Sequence, residues 1–217
     1  MKKISFIAII ASVLLACNPN SNHDPENTNT VKHDSAGHAT HTAENQMNPV
    51  KATMDKMMQE MHAAKPTGNN DIDFAAMMLE HHKGAVEMSK VEIEKGSNAE
   101  MKAFAQKVIT DQNKEIAFMQ DFMSKATKTS SSNSAAFQKA LQQSMMAMMS
   151  DNTKIYNDID KDFAAQMIPH HQSAVDMAKA YLQYGHENSL TTLSRNIINS
   201  QEKEIKWLNE WLVKNGK

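Results

Sequence analysis

The chain has 217 residues and a formal net charge of −2, with 41% hydrophobic and 22% charged residues. Its single cysteine, Cys17, excludes disulfides, zinc fingers, iron–sulfur clusters and cysteine nucleophiles from the body of the protein. Acidic and basic residues are intermixed and nearly balanced, so nothing indicates a nucleic-acid-binding surface.

The N-terminal segment has the features of an export signal. It begins with a short basic region, and residues 4–15 form an apolar run that is too short to span a bilayer as a mature helix. Leu14-Leu15-Ala16-Cys17 resembles the lipobox of bacterial lipoproteins. The resemblance implies removal of residues 1–16 as a signal peptide, lipidation of Cys17 and attachment to a bacterial membrane, on its periplasmic or outer-membrane face. An ordinary secretory signal with an incidental cysteine is the alternative.

Residues 17–46 are polar and almost free of large apolar side chains. Such a segment cannot bury enough surface to offset the entropy lost on ordering, so we predict a disordered tether. Its histidines could capture metal ions loosely, or the tether could be only a solvated leash. These histidines are His23, His33, His38 and His41.

Residues 47–126 are predicted to form a first helical repeat, which starts with a short Met-rich helix. Asn48 is a favourable N-cap, and Pro49 suits the first helical position. Apolar residues at helical spacing then continue to about Ala63.

Two long helices follow within this repeat. Asp71 or Asp73 is the expected N-cap of the first, Gly96 the expected residue after its end, and Asn98 the expected N-cap of the second. Because one short turn separates them, they should form an antiparallel hairpin.

A Ser/Thr/Asn-rich linker, residues 127–134, leads to a second helical repeat over residues 135–217. It is predicted to contain a short helix carrying Met145 and Met148, a long helix to about Tyr184, and a final helix from Asn188. Since the two repeats match at an offset of 89 residues, the repeating unit is a whole helix–helix pair.

The most informative motif occurs once in each repeat. Residues 73–88 and 162–177 are identical at ten of sixteen positions, and both contain Met-x2-His-His-x5-Met. Helical spacing places these side chains along one inward-facing stripe, with His82 at its edge. The candidate metal ligands are Met78, His81, His82, Met88, Met167, His170, His171 and Met177.

Thioether sulfur and imidazole nitrogen form a soft donor set, which favours Cu(I), and equally Ag(I), over Mg, Ca or Mn. Thioethers need no deprotonation and form no disulfides, which suits an exported protein. Methionine is also over-represented, with 18 residues against half as many leucines. We therefore predict that the protein binds copper, as Cu(I), and acts as a buffer or chaperone.

Core filling is the alternative explanation of the stripe. In that interpretation His81 and His170 would be satisfied by hydrogen bonds from Gln112 and Gln201 of the partner helices, without a metal ion. If a metal is bound, four side chains are candidates to orient the imidazoles, although the two glutamates among them could equally lie at a solvated helix edge. These four are Gln112, Glu115, Gln201 and Glu204.

The second motif and the helix after it resemble the domain of unknown function 305 family. The matching pattern is Phe163-x3-Met167-Ile168-Pro169-His170-His171-Gln172-x-Ala174-Val175-Asp176-Met177, then Gln201-x2-Glu204-Ile205-x2-Leu208. The first motif differs by having Glu80 in place of the family's proline. The resemblance implies export, copper binding and copper tolerance for some members, and a ferritin-like helical bundle. The expected fold is thus all-α, with two tandem helical hairpin units, each preceded by a short Met-rich helix.

Three other functions remain open from the sequence. A di-iron enzyme would need Glu-x-x-His helices, and the chain has no such sequence. A haem-carrying bundle with Met/His axial ligands and a metal-free envelope scaffold are the other two. The expected protein is not an enzyme. Its expected partners are a metal ion and the membrane, with a copper-trafficking protein or a second copy as further candidates.

Overall fold

The computed structural model of the protein describes residues 48–149 and 153–216. The described residues form six α-helices and no β-strand, so the prediction of an all-α protein is confirmed. No helix in these two ranges is both long and apolar enough to cross a membrane. The predicted signal peptide, the tether with its four histidines, and Cys17 lie outside the described residues. The helices are α1 (Pro49–Ala63), α2 (Asn70–Lys95), α3 (Ala99–Lys125), α4 (Ser134–Ser144), α5 (Ile159–Tyr184) and α6 (Asn188–Asn215).

An asparagine side chain forms the N-cap of each of the first three helices. Asn48 and Asn98 cap α1 and α3 as predicted, each accepting hydrogen bonds from backbone amides of the first turn. The prediction that Asp71 or Asp73 caps α2 is wrong. Asn69 is the cap, because its side chain accepts from two first-turn amides and the helix begins one residue later.

The two aspartates instead accept hydrogen bonds from residues outside α2. Asp73 Oδ1 accepts from both the amide and the hydroxyl of Thr67, at 2.7 Å each. Asp71 accepts from the hydroxyl of Tyr181 on α5 and from the amide of His186. The first turn of α2 is therefore tied to the end of α5.

Helix α2 packs along α3, and α5 packs along α6. Helix α2 also contacts α5, α1 lies against both of them, and α4 lies against α5. The contact of Asp71 with Tyr181 at one end and of His81 with His170 in the middle shows that α2 and α5 run antiparallel. The two copies of the Met/His motif consequently cross at their histidines.

The two ends of the α2–α5 pair use equivalent positions with different chemistry. At one end the Tyr181 hydroxyl donates to Asp71. At the other end the equivalent of Tyr181 is Glu92, and its fully buried carboxyl lies beside Asp160, the equivalent of Asp71. Asp160 also accepts from the amide and hydroxyl of Ser97. Burial and the neighbouring Asp160 raise the pKa of Glu92 to about 8.

Gly96 and Gly185 follow α2 and α5, as predicted, but their backbones are extended, with φ of −66° and −84°. The left-handed conformation usual for a glycine at this position is therefore absent. Close approach explains the glycines instead. A Cβ at Gly96 would lie 2.3 Å from Glu92 Oε1, and one at Gly185 would lie 2.2 Å from the Tyr181 ring.

Helix α4, predicted to include Met145 and Met148, is shorter than expected, because the chain continues from Ser144 as a 3-10 turn over Met145–Ala147.

Methionine fills much of the core. Thioether side chains are flexible and adapt to irregular gaps between helices. The buried methionines are Met54, Met57, Met61, Met78, Met88, Met101, Met119, Met145, Met167 and Met177.

Candidate metal centre

All eight candidate ligands lie in the interior of the bundle. The spacing of the motif places them on one face of α2 and one face of α5, and these faces pack against each other and against neighbouring helices. His82, expected at the edge of the stripe, is buried as completely as His81, because Glu115 of α3 covers its ring. The eight side chains, each with no exposed surface, are Met78, His81, His82, Met88, Met167, His170, His171 and Met177.

His81 and His170 occupy equivalent positions and meet at the centre of the α2–α5 contact. Their ring centroids are 3.7 Å apart, with 39° between the ring planes. His170 Nε2 lies 3.0 Å from the backbone oxygen of His81. Because a carbonyl only accepts, His170 Nε2 carries the proton and donates it, which leaves the lone pair on Nδ1.

The outer histidine of each pair faces a glutamate of the adjacent helix. His82 Nε2 is 2.7 Å from Glu115 Oε2, and His171 Nε2 is 3.0 Å from Glu204 Oε2. The two glutamate side chains are 21% and 13% exposed, so they connect the buried rings to the surface. Both glutamates thus lie at a partly solvated edge and also contact a buried histidine.

The two glutamates differ in their further contacts. Lys107 of α3 lies 2.7 Å from Glu204 Oε1, so this carboxylate bridges a lysine and His171. Burial raises the pKa of Glu204, but the contacts with His171 and Lys107 outweigh burial and bring the pKa below its usual 4.5. Position 196, the equivalent of Lys107, is an asparagine. The two copies are therefore electrostatically unequal.

The inner imidazoles are neutral. Burial is the main cause that holds the pKa of His81 well below 6.5, and the neighbouring His170 lowers it further. Burial likewise lowers the pKa of His170, together with the charge of His171. Neutral imidazole offers one nitrogen lone pair, whereas protonated imidazole offers none.

At least one buried nitrogen on every ring has no hydrogen-bond partner, and on His81 and His171 neither nitrogen has one. The Nδ1 atoms of all four histidines are buried and make no hydrogen bond to the protein. On three of the rings the other nitrogen, Nε2, lies against an oxygen, namely Glu115, Glu204 or the His81 carbonyl. Histidines that bind a metal through one nitrogen commonly donate the other N–H to a carboxylate or a backbone carbonyl. The rings of His82 and His170 thus have the arrangement that is common among metal-bound histidines.

The hydrogen bonds expected from the glutamines under the metal-free alternative do not form. Gln112 is buried, but both polar atoms of its side chain lack a partner, and so do both ring nitrogens of His81. Gln201 is also buried, and its Oε1 has no partner. An unpaired buried polar atom costs free energy, so core filling alone does not account for this set of side chains.

The antiparallel register distributes the sulfur atoms between the two copies. Met88 lies beyond His81 along α2, and Met167 lies before His170 along α5, so these two methionines are at the same end of the histidine cluster. The same reasoning places Met78 and Met177 together at the other end. Each end of the histidine cluster therefore receives one methionine from each copy.

Met57 of α1 is a neighbour of the site that the sequence analysis did not assign. A Cβ at Gly84 would lie 2.2 Å from Met57 Sδ, so the glycine makes room for this sulfur one turn after His81. The signal was present in the sequence, since glycine inside a helix is unfavourable without a packing reason.

The described residues contain no group of three or more His, Cys, Asp or Glu side chains arranged to hold a metal ion. The candidate donors are therefore imidazoles combined with thioethers. This composition differs from the carboxylate-bridged centre of a di-iron enzyme.

The sequence model of the domain of unknown function DUF305 matches the chain over residues 20–123 and again over residues 71–212. Among curated proteins, none is significantly similar to the chain.

Several solved structures resemble the fold. CopM in its Cu(I)-bound form is 31% identical, with 66% of this chain and 96% of that chain covered and a TM-score of 0.51. CopM in an Ag-bound form is 28% identical over 66% of this chain and 95% of that one, also with a TM-score of 0.51. A DUF305 protein from Streptomyces coelicolor is 24% identical over 70% and 96% of the two chains, with a TM-score of 0.57, and this likeness concerns the fold alone.

Proposed function

The chain belongs to the domain of unknown function 305 family, and from that premise we propose that it is an exported, membrane-tethered protein that binds Cu(I) or Ag(I) as a buffer or chaperone. The proposed ligands are Met78, His81, His82, Met88, Met167, His170, His171 and Met177.

One observation carries the proposal: four buried imidazoles each keep an unpartnered Nδ1 within a methionine-lined interior. A buried nitrogen without a partner is unfavourable, and a cation that accepts its lone pair removes the penalty. Because the inner rings are neutral, no proton has to leave them before they bind.

The donor types select the cation. Thioethers and imidazoles are softer than carboxylates or carbonyls, so Cu(I) and Ag(I) are favoured over Mg, Ca and Mn. CopM has been solved with Cu(I), with Cu(II) and with Ag. The likeness to CopM supports copper as the metal, and the preference for Cu(I) rests on the sulfur donors of this chain.

Glu115 and Glu204 are proposed to orient the outer rings. Glu115 accepts the Nε2 proton of His82, and Glu204 lies 3.0 Å from His171 Nε2, so each carboxylate would direct Nδ1 of its ring to the interior. Gln112 and Gln201 lie buried on the same partner helices and supply further polar atoms near the centre. The two glutamates would position the outer rings without binding the ion, whereas the two glutamines are proposed to contact the imidazoles only in the metal-bound protein.

The proposed location follows from the sequence. Lipidation of Cys17 would hold the protein at a bacterial membrane outside the cytoplasm. There, thioethers have an advantage over thiols because they cannot be lost to disulfide formation. A copper-trafficking protein or a second copy of the chain is the proposed partner for release of the ion.

Metal analysis after Cu(I) loading tests the proposal. A variant with His81, His82, His170 and His171 replaced by asparagine should lose bound copper. A matched control replaces the exposed His62 and His186 by asparagine and should bind as much copper as the wild type. Equal copper content in all three proteins would overturn the proposal.

A further inference from the structure

Four methionines follow α4 in the sequence Met145-Met146-Ala147-Met148-Met149, and the buried site uses none of them. The chain leaves the α-helical conformation here. The amides of Met148 and Met149 donate to the carbonyls of Met145 and Met146, at 3.1 and 3.2 Å. Both bonds join residue i to residue i+3, which is the 3-10 pattern.

The 3-10 geometry sorts these side chains into two pairs. Three residues complete one turn, so side chains at i and i+3 eclipse each other. Met145 is only 4% exposed, and Met148 packs against the core. Met146 and Met149 are 66% and 58% exposed. The turn therefore holds two thioethers one above the other on the protein surface.

Residues 48–126, the described part of the first repeat, contain no such surface pair. The Met-rich helix of this repeat, α1, remains α-helical, and Met54, Met57 and Met61 are at most 3% exposed. Core filling explains those methionines, but it does not explain side chains that lie mostly in solvent. The departure from α-helical geometry after Ser144 is what exposes the second set.

We propose that Met146 and Met149 form a surface site that binds a soft monovalent cation, Cu(I) or Ag(I), through both thioethers. The choice of cation rests on the proposed function, but none of the buried ligands takes part. Thioether sulfur binds soft cations in preference to Mg or Ca. The three rotatable bonds of each methionine let two eclipsed side chains close on one ion.

The position of the turn suits a site that receives the ion first. The turn contacts α5, the helix that carries His170 and His171. Met145 and Met148 lie on its inner side, so further thioethers stand between the surface pair and the core.

Titration of the full chain with Ag(I) tests this site. The variant Met146→Leu/Met149→Leu keeps the side-chain volume, deletes both sulfurs and changes only exposed positions, so it should fold as the wild type does. It should bind one Ag(I) fewer per chain. The control Met58→Leu/Met123→Leu removes two partly buried thioethers on different helices and should keep the wild-type stoichiometry.

The same substitutions made in the variant that lacks the four histidines separate this site from the buried one. Loss of one Ag(I) on removing the surface pair in both backgrounds supports the surface site, whether or not the histidines bind. Methyl signals of methionine in the wild type give a second measurement, and those of Met146 and Met149 should shift together. Unchanged stoichiometry together with unshifted signals would overturn the surface site.

Discussion

The rings of His81 and His170 lie 3.7 Å apart where α2 contacts α5, tilted by 39°, and His170 donates a hydrogen bond to the backbone of His81. The two copies of the motif are therefore in contact, and the copies should not bind metal independently. We expect His81→Asn and His170→Asn to show non-additive losses of Cu(I) affinity, with a coupling energy of about 0.5–3 kcal/mol. A double-mutant cycle in a Cu(I) competition titration measures it. Strict additivity would mean that the copies act separately.

Removal of either orienting glutamate should weaken metal binding. In Glu115→Ala or Glu204→Ala the outer ring loses the carboxylate that lies against its Nε2, and we expect about a 10- to 100-fold loss of Cu(I) affinity. Glu202→Ala is a matched control on α6, because Glu202 contacts only Lys179 at the surface. The comparison uses the same competition titration. An affinity loss of the same size in the control would show that the effect is not specific to the histidine contacts.

The buried carboxyl of Glu92 should make the stability depend on pH. Its pKa is about 8 in the folded protein, above its usual 4.5, so between these values the native state keeps a proton that the unfolded state releases. The free energy of unfolding should therefore fall as pH rises through this window, by at most about 1.4 kcal/mol per pH unit. Glu92→Gln removes this contribution, because an amide can donate to Asp160 without titrating.

Denaturant titrations from pH 5 to pH 8 check this expectation. The variant should gain stability relative to the wild type as pH rises. Tyr181→Phe, at the equivalent position, is the control. Burial and Asp71 raise the pKa of Tyr181 above its usual 10, so its difference from the wild type should stay constant across this range. A constant difference for Glu92→Gln would contradict the proposed protonation.

Gly84→Ala should destabilise the protein although alanine is the better helix former. The new Cβ would lie 2.2 Å from Met57 Sδ, and such overpacking costs about 1–3 kcal/mol. In a Met57→Ala background the same substitution should cost much less, because only the Cβ of residue 57, at 3.0 Å, remains close and helix propensity favours alanine by about 1 kcal/mol. Thermal unfolding of the wild type, Gly84→Ala, Met57→Ala and the double variant measures the effect in each background. Equal effects in both backgrounds would show that Met57 does not limit the space.

The helical architecture was readable from the sequence because local signals agree with one another. Asn48 and Asn98 cap helices where expected, and the 89-residue offset identified the equivalent helices. The cap of α2 was misassigned because aspartates inside the first turn resemble caps. Asp71 is instead used by Tyr181, 110 residues away in the chain, and spacing along one helix does not show such a contact.

The candidate ligands were also identified from spacing, since residues three and four apart share a helix face. The hydrogen-bond partners of these histidines could not be identified from spacing. Whether His170 meets a glutamine or the backbone of His81 depends on the crossing of α2 and α5, which helical periodicity does not encode. The exposure of Met146 and Met149 likewise depends on a local change from α-helical to 3-10 geometry, and methionine spacing alone does not indicate that change.

The buried methionine and histidine side chains of the two motifs are proposed to bind a soft cation, and not only to fill the core. X-ray absorption at the copper edge of the Cu(I)-loaded protein tests it most directly. We predict a first shell that contains both sulfur and nitrogen, and a loss of sulfur from that shell when Met78, Met88, Met167 and Met177 are replaced by leucine. A shell of nitrogen and oxygen alone, unchanged by these substitutions, would contradict the claim.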